Sequence, residues 1–372
     1  MRKIFSCFLC VMVCFNISFA QNKNEKEIFY DGPYVLYRNE NCIVYTINSS
    51  ADPIVSTKRY PISMKAQNPV QVSFPANPSW DFSVSFHASL SIEPSEYRAP
   101  EKLFAISDIE GEFTNFRTIL IANKIMDEQS NWIFGKGHMV ICGDLFDRGD
   151  DVVPELWLIY KLEAEAKKAG GYVHTILGDH EIMNLSGDLR YLHEKYAATQ
   201  KYLGMEYTNF YDAQTELGQW LRTKNIIEKI GDNLCMHAGL SREVIAQQLS
   251  LEKMNALCRP YYDKSQDKEL LDKKNVRLYF DGRSKSQTSP FWYRGYFSKG
   301  DIASEAQVDS SLELYGCKRI LVGHTIVPHI EALYGDKVIA LDVNEHKQSP
   351  EAVLIENGKC YKVDVHGKKT LL

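Results

Sequence analysis

The chain of 372 residues has little of what marks several common functional classes. It shows no internal repeat and no low-complexity tract, which sets aside solenoids, propellers and linker-like sequence. It has no cationic excess: 43 Lys and Arg against 48 Asp and Glu give a formal charge of −5. Neither nucleic acid nor an anionic membrane is therefore expected as the main partner. Beyond residue 20 only six cysteines remain, Cys42, Cys142, Cys235, Cys258, Cys317 and Cys360, scattered and without a CxxC pair. That pattern indicates neither a zinc knuckle nor a dense disulfide framework. The apolar run at the start is shorter than the ~20 residues a bilayer span needs. Its flanks, Arg2 and Lys3 before and Ser18-Phe19-Ala20 after, read as a signal peptide over residues 1–20. No lipid-attachment pattern precedes Cys7, Cys10 or Cys14. The mature chain, at 41 − 48 = −7, is expected to be exported, periplasmic or secreted, with no stable membrane insertion.

What is present is a chain 44% hydrophobic and 12% aromatic, enough for the core of one or two domains. Residues 21–100 read as a β-rich N-terminal extension. DGPYVLYRNENCIVYTIN alternates aromatic or β-branched with polar residues around an Arg-Asn-Glu-Asn turn, which predicts a hairpin, and VQVSF and FSVSFHASLSI predict further strands. Prolines at 53, 61, 69, 75, 78, 94 and 100 punctuate this part. An irregular arm packed on the main domain fits the same residues.

From residue 101 to 372 the texture is a repeated device, an apolar run followed by a tight turn carrying Gly with Asp or His. KLFAIS leads to Asp108-Ile-Glu110-Gly111, HMVIC to Gly143-Asp144-Leu-Phe-Asp147-Arg148-Gly149, and YVHTIL to Gly178-Asp179-His180-Glu181. NLCM leads to His237-Ala-Gly239 and KRILV to Gly323-His324-Thr325. Apolar strands with polar residues only at their carboxyl ends are where open α/β sheets place ligands, so the five ends predict one site. Helical patterns lie between, FRTILIANKIMDEQ and VPELWLIYKLEAEAKKAGG, with Gly170-Gly171 as the second one's stop. Insertions are expected at about 185–225 and 241–290, the second mostly helical.

Asp108, Glu110, Asp144, Asp179, His237 and His324 are all oxygen or imidazole donors. Brought together they would hold two divalent ions with one carboxylate shared. Two ions roughly 3.5–4 Å apart can generate hydroxide from water near neutral pH and clamp a phosphoryl group during in-line attack. Any one of these motifs alone would be an ordinary turn or a core histidine; their succession in one chain argues for a site.

That succession resembles the phosphoprotein phosphatase branch of the calcineurin-like metallophosphoesterases, most of all the bacterial Shewanella-like phosphatases. The family motifs run Asp-x-His-Gly, Gly-Asp-x-x-Asp-Arg-Gly, Gly-Asn-His-Glu, His-Gly/Ala-Gly and Gly-His/Ala-His, and the likeness covers about residues 101–345. NLSGDLRY at 184–191 and FWYRGY at 291–296 resemble Shewanella-like segments too. The resemblance implies a four-layer α/β/β/α sandwich and a binuclear phosphoric monoester hydrolase. One metal would be held by Asp108, Glu110 and Asp144, the other by Asp144, Asp179, His237 and His324. Arg148 and Arg294 would bind phosphate oxygens and stabilise developing charge. His180 would protonate the leaving alcohol, with Asp147 holding its ring. Glu181 is expected to be a structural salt-bridge partner.

Two positions depart from the family pattern: Glu110 stands where it has histidine, and Asp179 where it has asparagine. Four carboxylates in place of two should favour Mn²⁺, Mg²⁺ or Fe over Zn²⁺. Ile326 follows Thr325 where many diesterase relatives carry a second histidine, which favours phosphomonoesters, on a protein or a small molecule. A nucleotide or dinucleoside-polyphosphate hydrolase is the alternative enzyme, and Tyr191, Tyr196 or Trp220 lining the pocket would favour it. A degenerate metal- or phosphate-binding protein is the alternative outside catalysis, but it would not need Asp147, Arg148 and His180.

Overall fold

The computed structural model describes residues 29–49, 53–282, 287–297, 302–343 and 349–372. The expected signal peptide lies outside the described residues. Two six-stranded sheets organise the chain. In the first, Lys102–Ile106, His138–Ile141 and Tyr172–Thr175 run parallel, and Glu351–Glu356, Lys359–Asp364 and Lys369–Leu371 extend it in antiparallel fashion. In the second, Asn233–Met236, Arg319–Val322 and Val338–Ala340 run parallel, flanked by Ile227–Ile230 with Glu96–Tyr97 on one side and Glu331–Leu333 on the other. Both sheets contribute to one continuous apolar core. Helix Val152–Ala169 packs on Tyr172–Thr175 and helix Leu251–Cys258 on Ile227–Ile230, so helices flank the paired sheets as a four-layer α/β/β/α sandwich requires.

The central strands are buried apolar runs because helices cover them. Helix Val152–Ala169 follows its sequence closely: Pro154 sits in the first turn, Lys167 and Lys168 in the last, and Gly170 closes it at φ 80°. The helix predicted over FRTILIANKIMDEQ starts earlier and stops sooner, at Phe113–Ala122. Lys124 turns left-handed at φ 57°, and the Asp127 carboxylate then accepts from the N–H groups of Gln129 and Asn131, closing a local turn in place of helix.

The N-terminal part is β-rich but shorter in regular structure than expected. Phe29–Arg38 and Asn41–Ser49 form the predicted hairpin, its Asn39-Glu40 turn having positive φ at both residues. A third strand, Pro53–Pro61, was not predicted. FSVSFHASLSI is strand only at Phe82–Val84. Farther on, the His87 N–H donates to the Tyr160 hydroxyl (2.7 Å) and the ring stacks on Tyr160 at 3.8 Å, so helix Val152–Ala169 holds this stretch instead of a strand partner. The six cysteines are all unpaired. No described helix is long and apolar enough to cross a membrane.

Candidate active site

Five strand ends drawn from two different sheets meet at one place, and the backbone bends sharply to bring them there. Asp108, Glu110, Asp144, Asp147, Arg148 and His324 all have left-handed φ, between 52° and 74°. Such a conformation costs a non-glycine residue about 1–2 kcal/mol, and clusters of it are characteristic of functional sites. Reciprocal backbone bonds offset the cost: Asp108 N–H donates to Gly143 O, Glu110 N–H to Asp144 O, and Gly149 N–H to Glu110 O, at 2.8–3.0 Å. The Gly143 and Gly178 turns touch back to back. A Cβ on Gly143 would lie 2.7 Å from the Gly178 backbone, and one on Gly178 would lie 2.2 Å from Asp144 Oδ1.

Glu181 ties these turns together, in a way that corrects its expected role as a salt-bridge partner. Its carboxylate accepts from four backbone N–H groups, those of Asp144 (2.9 Å), Leu145 (2.6 Å), Phe146 (3.3 Å) and Gly178 (2.5 Å). Burial pushes its pKa up despite these bonds. Glu181→Ala would leave buried donors unpaired at ~1–3 kcal/mol each, so urea unfolding should report a loss of about 3 kcal/mol or more. A loss under about 1 kcal/mol, typical of an unimportant surface change, would contradict the role.

The structure brings Asp144, Asp179, His237 and His324 into one buried group whose ligand atoms lie within 4.8 Å of one another. His237 Nε2 is 2.8 Å from Asp179 Oδ1 and 3.3 Å from Asp144 Oδ2. Its Nδ1 lies 2.7 Å from Cys142 O. A donor N–H there leaves Nε2 facing the two carboxylates, which outweigh burial and hold the ring well above the ordinary imidazole range, so a cation binding at Nε2 would displace that proton. His324 Nδ1 is 3.0 Å from Asp179 Oδ1, and His324 Nε2 is buried with no hydrogen-bond partner among the described residues. Glu110, Asp144 and His180 form a second such group, so Asp144 belongs to both. Asp108 is in neither; its carboxylate accepts from the His324 backbone N–H at 3.1 Å.

Electrostatics favour a cation here. Burial and the neighbouring Asp144 and Glu110 charges push Asp108 up to about 8 even against the pull of His237. Burial and Asp179 push Asp144 up to about 6. Burial lowers His324 to about 4, keeping its imidazole neutral as a ligand must be. Asp108 and Asp144, buried carboxylates whose ionisation their neighbours suppress, make with the neutral imidazole of His324 a donor set that divalent ions fit.

The expected catalytic groups surround that cluster. His180 Nδ1 is 2.6 Å from Asp147 Oδ2, while Nε2 faces Glu110 at 3.7 Å and Asp144 at 3.8 Å. Burial alone would lower the His180 pKa; Asp144, the Asp147 bond, Asp179 and Glu110 outweigh it and hold the ring well above the ordinary imidazole range. Arg148 is paired with Glu110 rather than free, its side chain 41% exposed. Arg294 donates to His324 O (2.8 Å) and Thr325 Oγ1 (3.2 Å), which places its guanidinium against the Gly323-His324-Thr325 turn.

Of the three aromatic residues named from the sequence, Tyr196 and Trp220 are fully buried in the core and Tyr191 is at the site. The Tyr191 ring centroid is 5.3 Å from that of His180. The aromatic spacing of the insertion did not distinguish the three. The part of Glu181 was also hidden, because its partners are backbone groups that no side-chain pattern records.

A family model described as calcineurin-like phosphoesterase matches residues 102–328. Shewanella-like protein phosphatase 2 of Arabidopsis thaliana is 27% identical over 301 residues, 68% of this chain and 73% of that protein. Shewanella-like protein phosphatase 1 of Plasmodium berghei is 28% identical over 238 residues, 61% and 62% of the two chains. Among solved structures, the cold-active protein-tyrosine phosphatase of a psychrophilic Shewanella species superposes with a TM-score of 0.81 at 36% identity, covering 92% of this chain and 99% of that one. The chain therefore belongs to the calcineurin-like phosphoesterase family and is a phosphatase of its phosphoprotein phosphatase branch.

Proposed function

We propose that the protein is an exported, two-metal phosphomonoesterase acting on phosphoprotein or small phosphoesters, with phosphotyrosine among the candidates because one relative is a protein-tyrosine phosphatase. The observation that carries this reading is Asp144, which lies in both groups of side chains that could hold an ion, with Asp179, His237 and His324 in one and with Glu110 and His180 in the other, as a ligand shared by two ions must. Asp108, Glu110 and Asp144 would hold one ion; Asp144, Asp179, His237 and His324 the other. Divalent ions held there would supply a nucleophile at neutral pH and positive charge to offset that of the phosphoryl group. Arg148 and Arg294 flank the cluster as oxygen-binding forks. A substrate phosphate would compete with Glu110 for Arg148, so the ion pair holds that guanidinium in the site until substrate arrives. His180, oriented by Asp147, carries the proton that the leaving oxygen takes. The basic and apolar pattern of residues 1–20 supports export.

A substrate panel tests the reading. With Mn²⁺ present, kcat/KM for p-nitrophenyl phosphate and phosphopeptides should exceed that for bis(p-nitrophenyl) phosphate and dinucleoside tetraphosphates by on the order of 100-fold, about 2.7 kcal/mol of transition-state preference. Equal or better cleavage of the diester would overturn it.

Metal choice is proposed to follow the two substitutions in the ligand set. Glu110→His and Asp179→Asn should each move the Mn²⁺ to Zn²⁺ activity ratio toward zinc by about tenfold, the scale on which changes around a metal act. An unchanged ratio in both variants would refute the link between carboxylate number and metal preference.

A further inference from the structure

We propose that Tyr191 sets the leaving-group specificity of this site, its ring being the surface against which an aryl leaving group packs, so that aryl phosphates such as phosphotyrosine are favoured over phosphoserine and phosphothreonine. This rests on the phosphomonoesterase reading above. Tyr191 is 45% exposed, the one aromatic ring among the ten large apolar side chains open to solvent in the described residues. Its ring lies 5.3 Å from the His180 ring, inclined by 35°. It is also held in place: its carbonyl accepts the Arg148 backbone N–H at 3.1 Å, which pins the residue to the Asp147–Arg148 turn. The guanidinium carbons of Arg148 and Arg190 lie 5.6 and 5.9 Å from the ring centroid. Those distances are at the outer limit of cation–π contact, about 6 Å, and beside both arginines the residue still keeps 45% of its surface open to solvent.

The position matters because of what His180 does. In hydrolysis water forms the new P–O bond, the bond from phosphorus to the leaving oxygen breaks, and the His180 proton passes to that oxygen and is replaced by one the attacking water gives up, releasing phosphate and an alcohol or phenol. Whatever the oxygen carries emerges beside His180, and Tyr191 is the neighbouring ring. A phenyl group bonded directly to that oxygen brings a rigid aromatic face to Tyr191; the single methylene of phosphoserine does not. Tyr196 and Trp220 are enclosed in the core and offer no competing surface.

Aromatic pairs contribute enough to change an equilibrium about 2- to 12-fold beyond simple burial. Steady-state kinetics on matched peptides differing only in phosphotyrosine or phosphoserine, at saturating Mn²⁺, provide the test. In Tyr191→Ala the phosphotyrosine to phosphoserine ratio of kcat/KM should fall about 2- to 12-fold, chiefly through KM, and Tyr191→Phe should keep the wild-type ratio. An unchanged ratio in Tyr191→Ala, whether both peptides slow together or neither does, overturns the proposal, since a residue that only positions Arg148 would affect both alike. A greater loss on adenosine monophosphate than on phosphotyrosine also overturns it, assigning the ring to a nucleobase. Wild-type protein inactive on both peptides and on p-nitrophenyl phosphate would instead refute the phosphomonoesterase reading itself.

Discussion

Asp144→Asn is expected to lower phosphatase activity by on the order of 10³-fold or more and to empty the metal site in the same step. Groups that merely orient metal ligands cost 10- to 100-fold on removal, as an order of magnitude. A ligand belonging to both halves of the site should cost more. Asparagine keeps an oxygen for the bond that Asp144 Oδ1 accepts from the His180 backbone N–H, so the local fold has reason to survive. Stability offers an internal control. Burial and the Asp179 charge raise the Asp144 pKa to about 6, so its folded-state value exceeds the unfolded one and its charge at neutral pH works against folding. Its attraction for the His180 and His237 rings works the other way and is lost with it, so the two effects oppose and the metal-free variant should unfold close to the metal-free wild type. Metal content by elemental analysis, thermal unfolding and activity should thus separate, with the first and third collapsing and the second holding. Retained metal and activity within about tenfold of wild type would contradict the shared-ligand role.

His180→Gln is the second large effect, and its size should depend on the leaving group. A positioned general acid contributes about 10²–10⁴-fold. Serine alkoxide is a poor leaving group and needs the proton, whereas p-nitrophenolate leaves readily without it. The variant should therefore lose on the order of 10²-fold or more on a phosphoserine peptide and distinctly less on p-nitrophenyl phosphate. Asp147→Asn should show the same pattern more weakly, because the 2.6 Å contact from Asp147 Oδ2 to His180 Nδ1 orients the ring and favours its cationic form. Equal losses on both substrates would mean that His180 holds phosphate rather than donating a proton.

The site was legible where its chemistry is written in short contiguous motifs. Asp108, Asp144, Asp179, His237 and His324 each follow a strand that reads as a buried run, and the backbone brings those ends together because the strands lie in the two sheets of one sandwich. Pairings between distant residues were not legible. Glu110 and Arg148 are 38 residues apart, and nothing in either motif records that the carboxylate occupies the guanidinium. The Glu181 contacts are to backbone donors, invisible to residue type. Strand Pro53–Pro61 escaped for another reason: seven of its residues are exposed in a row, so its sequence carries none of the alternation that burial on one face imposes. Conversely, the aromatics of the insertion shared one sequence signature, yet Tyr196 and Trp220 went to the core and Tyr191 to the site, a division made by tertiary packing alone.

The proposed two-ion site is tested most directly by titrating metal-free protein with Mn²⁺ in a calorimeter while following p-nitrophenyl phosphate hydrolysis in the same samples. Two ions should bind per chain in the wild type, with activity rising as the second is taken up, and Asp144→Asn should show neither. Full activity in protein exhaustively stripped of metal, or saturation of activity at a single ion, would contradict it.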